Sequence, residues 1–172
     1  MELLADRDIE SGKEITICYI DKFSPKTDRQ NELKTKYCFT CNCARCLAES
    51  KSDPVEDNRR RFIIKAIDDL EDSWEKLLES PPWSRQETLK RNIEAAELIL
   101  QAMKGVDMPE KRVRVSQHLG FVYALIGDLE NFNIWSEECL KDLGSQDNPG
   151  GVYGNWKKWH RNPATHPCWA AW

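Results

Sequence analysis

Four of the chain's seven cysteines fall within nine residues, in the run Tyr37-Cys38-Phe39-Thr40-Cys41-Asn42-Cys43-Ala44-Arg45-Cys46. A thiolate is a soft ligand. Zinc takes four ligands at tetrahedral angles, with bonds of about 2.3 Å to sulfur. Cys-x-Cys-x-x-Cys can place three sulfurs on one such ion, so Cys41, Cys43 and Cys46 are read as zinc ligands, with Arg45 placed to offset the thiolate charge. Cys38 is a local candidate for the fourth position, and a residue from elsewhere is the other. Four adjacent unliganded thiols are disfavoured, because they would be prone to oxidation. Cys18, Cys139 and Cys168 are scattered and are read as small buried hydrophobes.

Composition bounds the rest. The chain has 172 residues, enough for one ordinary domain or two small ones. Its net charge of -4 argues against bulk electrostatic binding to nucleic acid. The one dense basic run, Arg59-Arg60-Arg61, is flanked by acidic residues and reads as a solvated face at the start of a helix. No stretch approaches the ~20 apolar residues of a membrane span. The opening residues are too short and too acidic for a signal peptide. The thiols are therefore expected in a reducing compartment, where clustering points to metal or catalysis rather than disulfides. Nuclear and cytoplasmic locations fit equally well.

Along the chain, residues 3–20 read as strand material, with Glu14 to Ile20 alternating apolar and polar side chains. Ser11-Gly12 marks a turn before it, and a short polar helix is expected over 26–36. Pro54 and Glu56 open a helix behind Asp53, with Ile63, Ile67, Leu70, Trp74 and Leu77 on one face. Pro81-Pro82 stops it. Ser84 and Glu87 read as a capping box for a second helix carrying Leu89, Ile93, Ala96, Leu100 and Met103, closed by Gly105. Asp107, Pro109 and Glu110 open a third. Gly127-Asp128 separates it from a fourth, ending near Gly144. Leu119, Gly120, Tyr123 and Gly127 sit at tetratricopeptide offsets, and Gly120 would let the paired helix approach closely. Phe132 departs from that pattern, standing where a small residue is usual. Residues 145–172 lack helix periodicity and hold Trp156, Trp159, Trp169 and Trp172. These either tuck against the helices or form a docking surface. His160, His166 and Cys168 lack a fourth partner for a metal site.

The expected organisation is α+β but mainly α. Residues 1–50 carry the cysteine motif, 54–143 a helical domain, and 144–172 an irregular Trp-rich tail.

The run Ala5-x-Arg7-Asp8-Ile9-x-x-Gly12-x-Glu14-Ile15-Thr16-Ile17-x-Tyr19, then Asp21, then Arg29-x-x-x-Leu33-x-x-x-Tyr37-x-Phe39-x-Cys41-x-Cys43-x-x-Cys46, resembles the end of a SET domain and its post-SET segment. The likeness is to the SET-and-MYND branch and related fungal SET proteins. It covers about a quarter of the chain, and a tetratricopeptide-like domain after it also fits that branch.

The resemblance implies protein lysine methylation with S-adenosylmethionine. It makes Cys41, Cys43 and Cys46 zinc ligands, with a fourth cysteine from an Asn-His-x-Cys segment that has no counterpart in this sequence. Cys38 stands at a position that is often glycine in similar proteins. Tyr19 and Tyr37 match tyrosines lining the lysine channel, and Phe39 matches an aromatic packing on the cofactor's adenine. Tyr19 thus counts as both a catalytic and a cofactor-binding candidate. The partner expected is a protein lysine substrate, histone or not, without membrane or direct nucleic-acid binding. Much of the SET core is missing from these residues, so the expectation is a carboxyl-terminal piece of such an enzyme, inactive alone. The alternative is a zinc-stabilised helical module that binds a peptide or protein partner.

Overall fold

The computed structural model describes residues 10–12, 18–48, 54–143 and 152–172, and they divide into two compact units, one up to Asp57 and one from Asn58. Among the described residues there are helices and no strand. Most of the strand expected before Ile20 lies outside the described residues. Cys18, Tyr19 and Ile20, which are described, are irregular rather than extended in a sheet. Ser11 and Gly12 do form a turn, with Gly12 at φ 85°.

The first unit holds α1 (Lys26–Tyr37) and α2 (Ala44–Ala48). Asp21 accepts the Phe23 N–H at 2.8 Å, and the Arg29 N–H closes on the Pro25 carbonyl at 2.9 Å, so a turn feeds directly into α1. Proline suits a helix start because its φ is preset and it has no N–H to satisfy. α1 buries only Arg29 and Leu33. Among the unit's described residues these join Phe23, Pro25 and Cys46 as the buried side chains, a small apolar set. The helix stops at Cys38, which turns left-handed and donates its N–H to the Leu33 carbonyl.

The second unit holds nearly all of α3 (Pro54–Leu78), then α4 (Arg85–Ala102), α5 (Pro109–Ile126), α6 (Leu129–Leu143), α7 (Val152–Arg161) and a 3-10 turn at Pro163–Thr165. The stripe on α3 buries Ile63, Ile67, Leu70 and Leu77 as its period dictates. On α4 the buried line runs Asn92, Ala96 and Ile99, rotated from the apolar stripe expected. The cause is polar: Asn92 takes part in a buried hydrogen-bond set with Ser73 and His118.

Ser84 does not cap α4. Its hydroxyl donates to the Pro81 carbonyl at 3.2 Å, and Glu87 pairs with Arg91 instead. Asp128 does cap α6, accepting the Asn131 N–H at 3.1 Å. Arg59, expected on a solvated face, donates to the carbonyls of Ala102 and Lys104 at the end of α4.

The tail expected to be irregular contains α7, and its tryptophans pack. Trp156 is buried with Ala124, Phe132 and Cys139, flanked by Trp159 and Trp169, while Trp172 lies against the cluster of Leu77, Val122 and Leu125. The close approach at Gly120 is to Trp156 of α7, not to the paired α6: a Cβ there would meet the indole at 2.5 Å. Phe132 fills the same core, 5.4 Å from the Trp169 ring. The chain end then bonds to the carboxyl end of α5, with the Ala170 N–H on the Ala124 carbonyl at 2.8 Å and the Trp172 N–H on that of Leu125 at 3.2 Å. Among the described residues no helix is long and apolar enough to cross a membrane.

Candidate functional site

Both groups of residues singled out in the sequence lie in the first unit. Cys43 directly precedes α2, and its carbonyl accepts the Leu47 N–H at 3.0 Å. The opening turn of α2 directs the backbone N–H groups of Cys46 and Arg45 at the Cys43 sulfur. The Cys46 N–H has the larger effect, and these bonds hold the Cys43 thiol below its ordinary value. Cys41 also receives a backbone hydrogen bond, from Cys43, but burial and the neighbouring thiols of Cys43 and Cys46 outweigh it and push Cys41 up. Cys46 is buried, Cys41 half-buried and Cys43 exposed.

The three sulfurs lie within 4.8 Å of one another, the only such group of metal-ligating side chains among the described residues. Sulfurs bound tetrahedrally at about 2.3 Å stand roughly 3.8 Å apart, so small side-chain adjustments bring this set onto one ion. Donor type and spacing both suit zinc. Cys38 is exposed and outside the group.

Arg45, expected as the counter-charge, also holds backbone: its guanidinium donates to the Lys22 carbonyl at 2.5 Å. A cation that reaches a cysteine sulfur is Arg29, whose Nη2 lies 3.8 Å from the Cys46 Sγ. Sequence reasoning gave Arg29 no part in the site, although its spacing to Leu33 places both on one face of α1. Gln30, beside it, was also missed. Its side-chain amide pairs with the Cys41 backbone, donating to the carbonyl at 2.7 Å and accepting the N–H at 3.0 Å.

Tyr19, Tyr37 and Phe39 come together. The rings of Tyr19 and Tyr37 are 5.1 Å apart, those of Tyr19 and Phe39 are 6.0 Å apart, and the Tyr37 hydroxyl donates to the Tyr19 carbonyl at 3.3 Å. All three remain exposed, at 52%, 43% and 40%.

The other cysteines and histidines do different work. Cys18 is exposed, against expectation; Cys139 is buried and Cys168 half-buried. Burial pushes the Cys139 thiol strongly up, so it stays protonated. His160 bonds to the Ser136 hydroxyl at 2.7 Å, and His166 accepts the Cys168 N–H at 3.1 Å. The second unit has a shallow cleft of about 220 Å³ lined by Glu71, Trp74, Arg114, Gln117, His118 and Phe121.

No family model matches the chain. Over 78 residues it is 36% identical to the histone-lysine N-methyltransferase SMYD3 of Homo sapiens, a match covering 42% of this chain and 18% of that protein. It is 55% identical over 40 residues to protein SET DOMAIN GROUP 41 of Arabidopsis thaliana, covering 23% of this chain and 7% of that one. The N-lysine methyltransferase SMYD2 of Gallus gallus is 32% identical over 68 residues, covering 40% and 14%. Part of this chain is related to SET-family lysine methyltransferases. The matched stretch spans less than a fifth of the length of any of these three relatives.

Proposed function

We propose that this chain serves S-adenosylmethionine-dependent methylation of protein lysines, contributing the zinc-binding post-SET segment, part of the lysine channel and a helical domain. The observation that carries this reading is the three-sulfur group in the same small unit as the Tyr19, Tyr37 and Phe39 cluster. The similarity to lysine methyltransferases supports it.

In this reading Cys41, Cys43 and Cys46 hold zinc, which locks the loop that follows α1. S-adenosylmethionine supplies an electrophilic methyl group when bound. The attacking lysine must be neutral, whereas a free lysine has a pKa of about 10.4. Tyr19 and Tyr37 can orient the amine through carbonyl and phenol oxygens without competing as nucleophiles. For Tyr37 this means exchanging its bond to the Tyr19 carbonyl for one to the substrate. Phe39 offers an exposed ring face for the adenine. The 172 residues alone lack an Asn-His-x-Cys segment, so they are proposed to be inactive without further SET residues.

The test is a calorimetric titration of the chain with S-adenosylmethionine, alongside metal analysis. No saturable cofactor binding is expected, and about one zinc per chain. Serine at Cys41, Cys43 or Cys46 should each release metal and lower stability, because structural zinc contributes folding free energy. Tight cofactor binding by the chain alone would refute its proposed inactivity, and a metal-free chain would refute the zinc assignment.

A second reading, a zinc-stabilised helical module for a protein partner, rests on the cleft beside Trp74 and Phe121. Trp74→Ala should then abolish partner binding while leaving zinc content unchanged.

A further inference from the structure

Two consecutive residues of α1 reach the thiol loop, and they hold it at different points. Arg29 is only 5% exposed, and its guanidinium donates to the Ser24 carbonyl and lies at 3.8 Å from the Cys46 sulfur. Gln30 is half-buried and makes a two-bond amide pair with the backbone of Cys41. Cys41 and Cys46 are the outermost of the three clustered cysteines, so the pair grips both ends of the loop.

We infer that Arg29 and Gln30 are positioning residues for the metal, Arg29 as counter-charge to the sulfurs and Gln30 as the pin that fixes the loop against α1. The inference rests on the zinc reading above and deepens it.

Charge explains the arginine. Three thiolates on a dication leave one excess negative charge, and the buried Cys46 places part of it away from water. A guanidinium at that sulfur offsets the charge and orients the ligand, as groups just outside a metal's ligands commonly do. Geometry explains the glutamine. A primary amide both donates and accepts, so Gln30 can satisfy the N–H and the carbonyl of Cys41 together. A carboxylate at the same place keeps the acceptor, loses the donor and adds negative charge near the thiolates. Because α1 ends at Tyr37 and Phe39 follows closely, the same clamp ties the aromatic cluster to the state of the metal loop.

The experiment uses the full 172-residue chain. Zinc affinity is read by competition with a chromophoric chelator, and ligand geometry by the absorption bands of the cobalt-substituted protein. Arg29→Met should weaken zinc binding roughly ten- to hundred-fold. Arg29→Lys should recover part of that loss, because it restores the charge without the fork; loss of packing alone would not be rescued this way. Gln30→Glu should weaken zinc about ten-fold and shift the cobalt bands. Should Arg29→Met fail to fold, Gln30→Glu decides the matter, since that position is half-buried. A wild-type chain that binds zinc, with Arg29→Met and Gln30→Glu both within about two-fold of it, overturns the clamp and leaves the zinc site standing. A wild-type chain with no measurable zinc affinity overturns the metal reading itself, and the clamp with it.

Discussion

Cys38 sits at φ 60° and ψ 27°, a left-handed conformation that a residue with a Cβ adopts at a cost of about 1 kcal/mol or more. Glycine is the usual solution at a helix end of this kind. Replacing Cys38 by Gly should therefore raise stability by about 0.5–1 kcal/mol, after glycine's extra unfolded-state entropy is counted. Zinc content should not change, because this sulfur stands outside the cluster; metal loss on Cys38→Gly would make Cys38 a ligand after all. His118 shows a different single-residue effect. Burial lowers its pKa to about 4, and its Nε2 bonds to the Asn92 side chain at 3.1 Å. Burial lowers His166 to about 4 as well, and its Nε2 is buried without a partner. Both are neutral when folded and take up protons near pH 6.5 when unfolded, so the unfolded state binds more protons between those values. Their contribution is complete above about pH 6.5 and is lost as the pH falls toward 4, at up to about 1.4 kcal/mol per pH unit for each histidine. His118→Gln should flatten that dependence in denaturant melts collected from about pH 4 to about pH 7. An unchanged slope would show that His118 is not protonated on unfolding.

α7 is the element that periodicity did not reveal. Its ten residues hold a glycine, an asparagine and three aromatic residues, a composition with little intrinsic helical drive. Its stability comes from Trp156, which fits against α5 only where Gly120 leaves room. Tertiary packing of this kind supplies most helical stability in proteins, and a single sequence does not display it. The helices with strong apolar stripes were legible, α3 above all, and so was the glycine end of α5 at Gly127, at positive φ. Gly105, also at positive φ, closes the turn after α4, whose own cap is Met103. The cap at Ser84 was misread because the competing acceptor, the Pro81 carbonyl, arises from a turn whose shape the sequence does not state. At the candidate site the sulfurs were legible from their spacing. Arg29 and Gln30 were not, because their roles depend on the fold returning the loop to α1. The α7 packing makes a clear prediction. A methyl group at Gly120 would stand 2.5 Å from the Trp156 indole, so Gly120→Ala should cost about 1–3 kcal/mol. Adding Trp156→Leu should remove the clash, and the double mutant should be more stable than the sum of the single changes allows. Simple additivity in the denaturation midpoints would place the strain elsewhere.

The two units differ in what can hold them together. The second has its own apolar interior, with Ile63, Leu77, Leu119, Leu125, Phe132 and Trp156 almost fully buried. Among its described residues the first buries only Phe23, Leu33 and Cys46 as hydrophobic residues, with Pro25 and Arg29 beside them. Segments so small generally need a metal or a disulfide to stay folded, and all seven cysteines here are free thiols. Zinc on Cys41, Cys43 and Cys46 would supply that missing free energy, since binding to a site absent from the unfolded chain counts directly as folding free energy. Removing metal with a strong chelator should therefore melt α1 and the cysteine loop selectively. Hydrogen exchange should show amides of Lys26–Tyr37 losing protection by orders of magnitude, while those of α5 and α6 keep theirs. Zinc should restore the protection, and magnesium should not, because a hard cation gains little from thiolate ligands. Equal loss of protection in both units would mean that the helical unit also depends on the metal. No loss anywhere would mean that Phe23, Leu33 and their neighbours suffice, and that the sulfur cluster is not what holds this unit together.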